Sequence, residues 1–62
     1  MKESIPTSEE LHALQQHMTD IATRLDYYGG LGVWAQRGMY LSWAAAEVSS
    51  WVDDMKEQEA NN

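Results

Sequence analysis

At 62 residues the chain has room for one domain, and a domain of that size buries only about 60% of the surface its unfolded form exposes. It contains no cysteine, which excludes a disulfide framework and a thiolate metal site and leaves self-association as the common route to added stability. Ten Asp and Glu against four Lys and Arg give a net charge of −6, a balance that opposes nucleic-acid phosphates and anionic lipid and suits solubility or a basic partner.

The N-terminal segment from Met1 to Pro6 has no apolar stretch of signal-peptide length. The most apolar window, Gly38 to Val52, is too short to cross a bilayer and carries Glu47 and three serines, so the sequence reads as cytoplasmic and without membrane association.

A first helix opens at a capping box. Thr7 is followed three residues later by Glu10, so hydroxyl and carboxylate can each satisfy an orphan amide, and Glu9 and Glu10 sit favourably against the positive helix end. Beyond it Leu11, Leu14, Met18, Ile21, Leu25 and Tyr28 fall at spacings of 3, 4, 3, 4 and 3, the seam of a helix spanning about residues 8–28. Leu14, Met18, Ile21 and Leu25 are accordingly expected among the most buried residues, with His12, Gln16, Thr19, Asp20 and Thr23 solvated. Asp20 and Arg24 stand four apart and can form a surface ion pair worth a few tenths of a kcal/mol, about 0.3.

Gly29, Gly30 and Gly32 then make a turn over residues 29–32, with Gly29 and Gly30 expected to take the positive φ that closes a helix. So short a connection makes the flanking helices antiparallel neighbours.

The second helix is expected over about residues 33–58. Its large residues recur every seven, at Trp34, Leu41, Val48 and Met55, beside a stripe of small ones, Ala35, Gly38, Ser42, Ala45 and Ser49. The small stripe can admit the bulky seam of the first helix, while Gln36, Arg37 and Glu47 argue against a membrane contact. The fold class is thus all-α: an antiparallel two-helix hairpin, self-associating into a helical bundle, with frayed ends over residues 1–5 and 60–62.

Apolar surface remains unspent. Tyr40, Trp43, Glu47 and Trp51 follow one another at spacings of 3, 4 and 4, a strip along one helical edge that fits either a partner protein or a second copy of the chain. Folding back the hairpin also gathers Glu3, Glu9, Glu10, Asp53, Asp54, Glu57 and Glu59 at its open end with only Lys2 and Lys56, a local balance of −5, whereas the loop end is neutral. That acidic end, with Glu9, Glu10, Asp53, Asp54 and Glu57 as its candidate contacts, could dock a basic surface or imitate DNA.

Catalytic constellations are missing from the pattern. His12 and His17 are five apart, about 140° around a helix, and cannot clamp one metal ion from one face. The glycines follow a helix rather than a strand and precede no Lys-Ser/Thr, so they make no phosphate loop. The expectation is a non-enzyme with no cofactor, no metal site and no direct nucleic-acid contact.

In size, acidity and hairpin form the chain is similar to the small accessory proteins that temperate lambdoid phages express early. The resemblance covers the whole length, rests on no motif and assigns no residue a role. It implies a regulator that binds host or phage proteins and biases development. A likeness to small plasmid-encoded four-helix RNA-binding dimers extends to architecture only, since the basic face that RNA requires is lacking. The leading expectation is therefore a non-catalytic, acidic, protein-binding regulator. Its alternatives are a purely structural oligomerisation module and a DNA-mimic inhibitor of a nucleic-acid-binding protein.

Overall fold

The computed structural model describes residues 4–30 and 32–61. Within them lie two helices, α1 (Ser8–Tyr28) and α2 (Val33–Ala60), folded antiparallel about the glycine turn, with no strand among the described residues. This is the all-α hairpin that the spacing requires. Of the expected frayed ends, Met1 to Glu3 and Asn62 lie outside the described residues, while α2 continues to Ala60, two residues past its expected end.

The start of α1 follows from local chemistry. The Glu10 amide donates to the Thr7 hydroxyl at 3.1 Å, and the Thr7 amide donates to the Glu10 carboxylate at 2.9 Å, so both arms of the capping box are made. Thr7→Ala should therefore lower stability by about 1 kcal/mol, read as a drop in the thermal midpoint by circular dichroism, with Glu10→Ala losing the reciprocal bond.

The turn departs from expectation at one glycine. Gly30 takes a left-handed φ of 66°, but Gly29 is right-handed at −81°. What reserves position 29 for glycine is space. A Cβ there would collide with the Leu25 carbonyl oxygen and stand 2.9 Å from the Ala35 nitrogen, because the start of α2 crosses directly over the end of α1.

Close approach also governs the contact between the helices. On α1 and its cap the residues turned toward α2 are Ser8, Leu11, Gln15, Met18, Ala22, Leu25 and Gly29, and on α2 they are Gly38, Leu41, Ala45, Val48, Val52 and Met55. Both sets alternate by three and four, the signature of a coiled-coil contact. Every seventh position reads Ser8, Gln15, Ala22 and Gly29 on one side and Gly38, Ala45 and Val52 on the other, small toward the turn, and at Gly38 a Cβ would lie 2.9 Å from the Leu25 Cβ and 3.0 Å from the Ala22 carbonyl oxygen. The helices touch nearly backbone to backbone at that level.

This corrects the expected core. Leu11, Met18 and Leu25 do face α2, but Leu14, Ile21 and Tyr28 lie about a quarter turn round the helix from the contact. Leu14 is 45% exposed and Tyr28 is 79% exposed, while Ile21 is half-buried. The deeply buried apolar residues are instead Ala22, Ala45, Val48 and Val52. Of the expected small stripe on α2, Gly38 and Ala45 are buried and Ala35 half-buried, whereas Ser42 and Ser49 face solvent. Trp34 likewise leaves the large-residue series and is exposed.

The result is a thin slab. Its Cα extents are 46 × 25 × 12 Å, one helix layer deep, and its radius of gyration is 14.2 Å, where a compact chain of this length has about 10.6 Å. The slab has two unlike faces. Helix geometry points Leu14, Ile21 and Tyr28 of α1 and Ala44 and Trp51 of α2 off one face, and His12, Thr19 and Asp26 with Ser42, Ser49 and Lys56 off the other. Grooves confirm the pairing across the helices: Thr19, Asp26 and Ser42 line one together, Ser8, His12 and Lys56 another, and on the apolar side Leu25, Tyr28 and Trp34 line a third.

Candidate functional site

Three places bear on function: the aromatic edge of α2, the open end, and the aromatic loop end. The first holds the strip read from the sequence. Tyr40, Trp43 and Trp51 are 52%, 62% and 46% exposed, and Glu47 is exposed between them. Spacing of three on a helix brings Tyr40 and Trp43 into contact, ring centroids 5.6 Å apart and tilted by 54°. The Gln36 side-chain amide reaches the Tyr40 hydroxyl at 3.1 Å one turn earlier, which holds the phenol along the helix. Trp51 stands two turns beyond Trp43 and leans toward the apolar face of the slab. The strip therefore turns from Trp43 on the outer edge of α2 toward Trp51 on the shared face of both helices, with Tyr40 between them and in contact with Trp43.

At the open end the structure separates acidic residues with different tasks. Glu9, Asp53, Asp54 and Glu57 are exposed on the first turn of α1 and the last turns of α2. Glu10, counted with them from the sequence, is engaged in the capping box. Glu59 was expected only as one more surface charge, and it is a clasp: the Ser8 amide and hydroxyl donate to its two carboxylate oxygens at 2.8 and 2.7 Å across a separation of 51 residues. Ser8 is buried by this contact. No short-range pattern marks the pair, because a serine at the start of one helix and a glutamate at the end of the next meet only once the hairpin register is known.

The backbone hydrogen bond from Ser8 and then its hydroxyl hold the Glu59 carboxyl below the ordinary glutamate range, against a smaller opposing effect of desolvation, with nearby Lys56 adding the least, in the lowering direction. A carboxylate whose folded pKa is depressed stabilises the fold above its unfolded pKa and loses that contribution as pH falls through the folded value. The acid limb of a stability profile, starting in the ordinary carboxylate range and running downward, should be shallower in Glu59→Gln than in the wild type. Urea unfolding at a series of acidic pH values measures this.

The loop end carries Tyr27 and Tyr28 in an edge-to-face pair 4.7 Å apart, and the Arg37 guanidinium lies 4.5 Å over the Trp34 ring. These were not among the expected site residues, although a Tyr-Tyr pair beside Trp and Arg in sequence is a readable signal. Along α1 the expected Asp20–Arg24 ion pair is formed at 3.4 Å, with both side chains largely in water, where such pairs contribute little.

Among the described residues no group of three His, Cys, Asp or Glu side chains could hold a metal ion, and no helix is long and apolar enough to cross a membrane. Compared with protein-family models, curated proteins and solved structures, the chain matches none of them.

Proposed function

We propose that this chain is a non-catalytic protein-binding regulator that engages a foreign protein through the outer edge of α2. The observation that carries the reading is the Tyr40–Trp43 pair, two touching aromatic rings each more than half exposed on a rigid helix. Aromatic side chains that hold a fixed geometry before binding lose little entropy on association and bury much apolar area, which is why they serve as anchors in interfaces. Glu47 lies one turn beyond the pair, and the acidic end adds Asp53, Asp54 and Glu57 further along the same helix. That arrangement suits a partner with an apolar cleft flanked by basic residues. A place among the early accessory proteins of temperate phages, acting in the cytoplasm, accords with this reading.

Trp43→Ala should weaken partner binding by about 2 kcal/mol or more while leaving helicity intact. Reversing the charge of Asp53, Asp54 and Glu57 should act mainly on the association rate and its salt dependence. Affinity capture from host lysate with the two variants beside the wild type, followed by titration of the purified partner, checks both. If the acidic residues decide affinity and Trp43 is dispensable, the reading gives way to electrostatic mimicry of DNA.

A further inference from the structure

We infer that the apolar face of the slab is covered by a second copy of this chain, stacked face to face and antiparallel into a four-helix bundle. The first reason is an inversion of burial. The buried contact residues are the smaller ones, Ala22, Gly38, Ala45, Val48 and Val52, whereas the larger ones, Leu11, Met18, Leu25, Leu41 and Met55, are only half-buried. Large apolar residues that are less covered than the small ones beside them belong to a core with one layer missing, since a stable domain packs at least two layers. All five tilt toward the face that also presents Leu14, Ile21 and Trp51.

Area gives the second reason. The accessible surface is 5011 Å², against about 4,100 Å² for a compact monomer of this mass. From Trp34 to Met55 the face runs about 30 Å along α2 and spans two helices, about 20 Å. Its corrugated surface approaches the ~800 Å² per partner of a stable interface and stands at the upper end of the apolar patches that monomers expose.

Self-complementarity identifies the occupant. Ser8 meets Glu59 and Gly38 meets Ala22 and Leu25, so residues 17–18 of α1 stand close to the level of 47–48 of α2. One two-fold axis crossing both helices at that level brings Leu14 against the partner's Ile21 and Glu10 near the partner's Arg24. It also lays Trp51 over the partner's Ala44, a large side chain against a small one. The same rotation sends the two acidic open ends to opposite ends of the bundle, where a parallel stack would set like charges together. Trp43 stays on the outside, so the dimer stands or falls independently of the foreign-partner reading.

Sedimentation equilibrium of the full chain should give a dimer at micromolar concentration, up to about 100 µM. Leu14→Lys or Ile21→Lys should raise the dimer dissociation constant at least tenfold, about the least that a buried unpaired charge brings, while Thr19→Lys on the opposite face and Trp43→Ala leave it unchanged. Because the chain has no cysteine, Tyr27→Cys can carry a single spin label. The antiparallel stack places the two labels about 30 Å apart along the bundle, and circular dichroism reports whether each variant is folded. A monomer, a larger assembly, or a dimer indifferent to both lysines would overturn the proposal. A label separation under about 15 Å, less than half of that axial offset, would overturn the antiparallel arrangement. Should the lysine variants lose their helices, the wild-type mass and the label distance decide the matter alone.

Discussion

Gly38→Leu should unfold the hairpin. Leucine is a better helix former than glycine by about 0.8 kcal/mol, so an effect on α2 alone would be stabilising. The contact reverses the sign. A Cβ at position 38 would lie 2.9 Å from the Leu25 Cβ, 3.0 Å from the Ala22 oxygen and 3.2 Å from the Asp26 nitrogen, and two of those three atoms belong to backbone that cannot rotate away. Making room requires the helices to part, which loses the packing of Ala22 and Ala45 on either side. Overpacking of this kind costs about 1 to 3 kcal/mol for a few extra methylenes in a core that can adjust, and more where the obstacle is main chain. A domain of this size holds about 3 to 5 kcal/mol in total. Gly38→Ala provides the graded comparison, since its Cβ meets the same atoms but its propensity gain offsets part of the clash. Chemical denaturation followed by far-ultraviolet circular dichroism should rank wild type, Gly38→Ala and Gly38→Leu in falling order. A leucine variant as stable as the wild type would mean that the helices do not approach as described.

Val48→Asp is expected to be comparably severe. Val48 is 2% exposed and sits midway along the contact, with Ala45 and Val52 on its own helix also buried. An aspartate there has no cationic neighbour on the facing stripe of α1, so the fold must bury an unpaired carboxylate or open around it, at a cost of about 4 kcal/mol or more. Val48→Ala removes only two methyl groups and should cost about 2 kcal/mol. Leu14→Ala makes the instructive contrast. With 45% of its surface in water, Leu14 should contribute about 1 kcal/mol to an isolated hairpin. Any further loss that depends on protein concentration then measures what a second copy adds. Denaturation midpoints at two concentrations, for all three variants, separate the contributions.

That ranking differs from the one the sequence suggests, and the reason lies in α1. Its sequence contains two interleaved stripes that share Leu11, Met18 and Leu25. One continues through Leu14, Ile21 and Tyr28, the other through Ser8, Gln15, Ala22 and Gly29. Hydrophobicity selects the first, and it is a true apolar stripe with the right period. Packing selects the second, because α2 brings Gly38, Ala45 and Val52 to the contact and small residues on both sides allow the backbones to close. The small residues Ala22 and Gly29 on one side and Gly38 and Ala45 on the other, each pair seven apart, were the available signal, overshadowed by the larger side chains beside them and interrupted by Gln15.

Other features were legible because local chemistry decides them. The capping box fixes the start of α1 wherever the rest of the chain goes, and three glycines in four residues end it. The exposure of Tyr40, Trp43 and Trp51 followed from their places on the outer and flanking positions of α2. The turn of that strip from an edge toward a face did not, since it depends on where α1 lies. The Glu59 clasp was hidden for the same reason: a pairing across 51 residues exists only in three dimensions.

The clasp and the glycine turn also set an order of assembly. Contacts near the turn, such as Gly29 against Ala35, close loops of only a few residues, while the Ser8–Glu59 pair closes nearly the whole chain. Loop entropy grows with the logarithm of the separation, so partners that are near neighbours along the chain meet first and each one formed shortens the span left for the next. The hairpin can close as a zipper does, from the glycines outward, with the carboxylate at the far end fastening last. An interaction made after the rate-limiting step governs how slowly the molecule opens and leaves the speed of closing almost untouched. In this chain the lock and the starter stand at opposite ends of the same two helices.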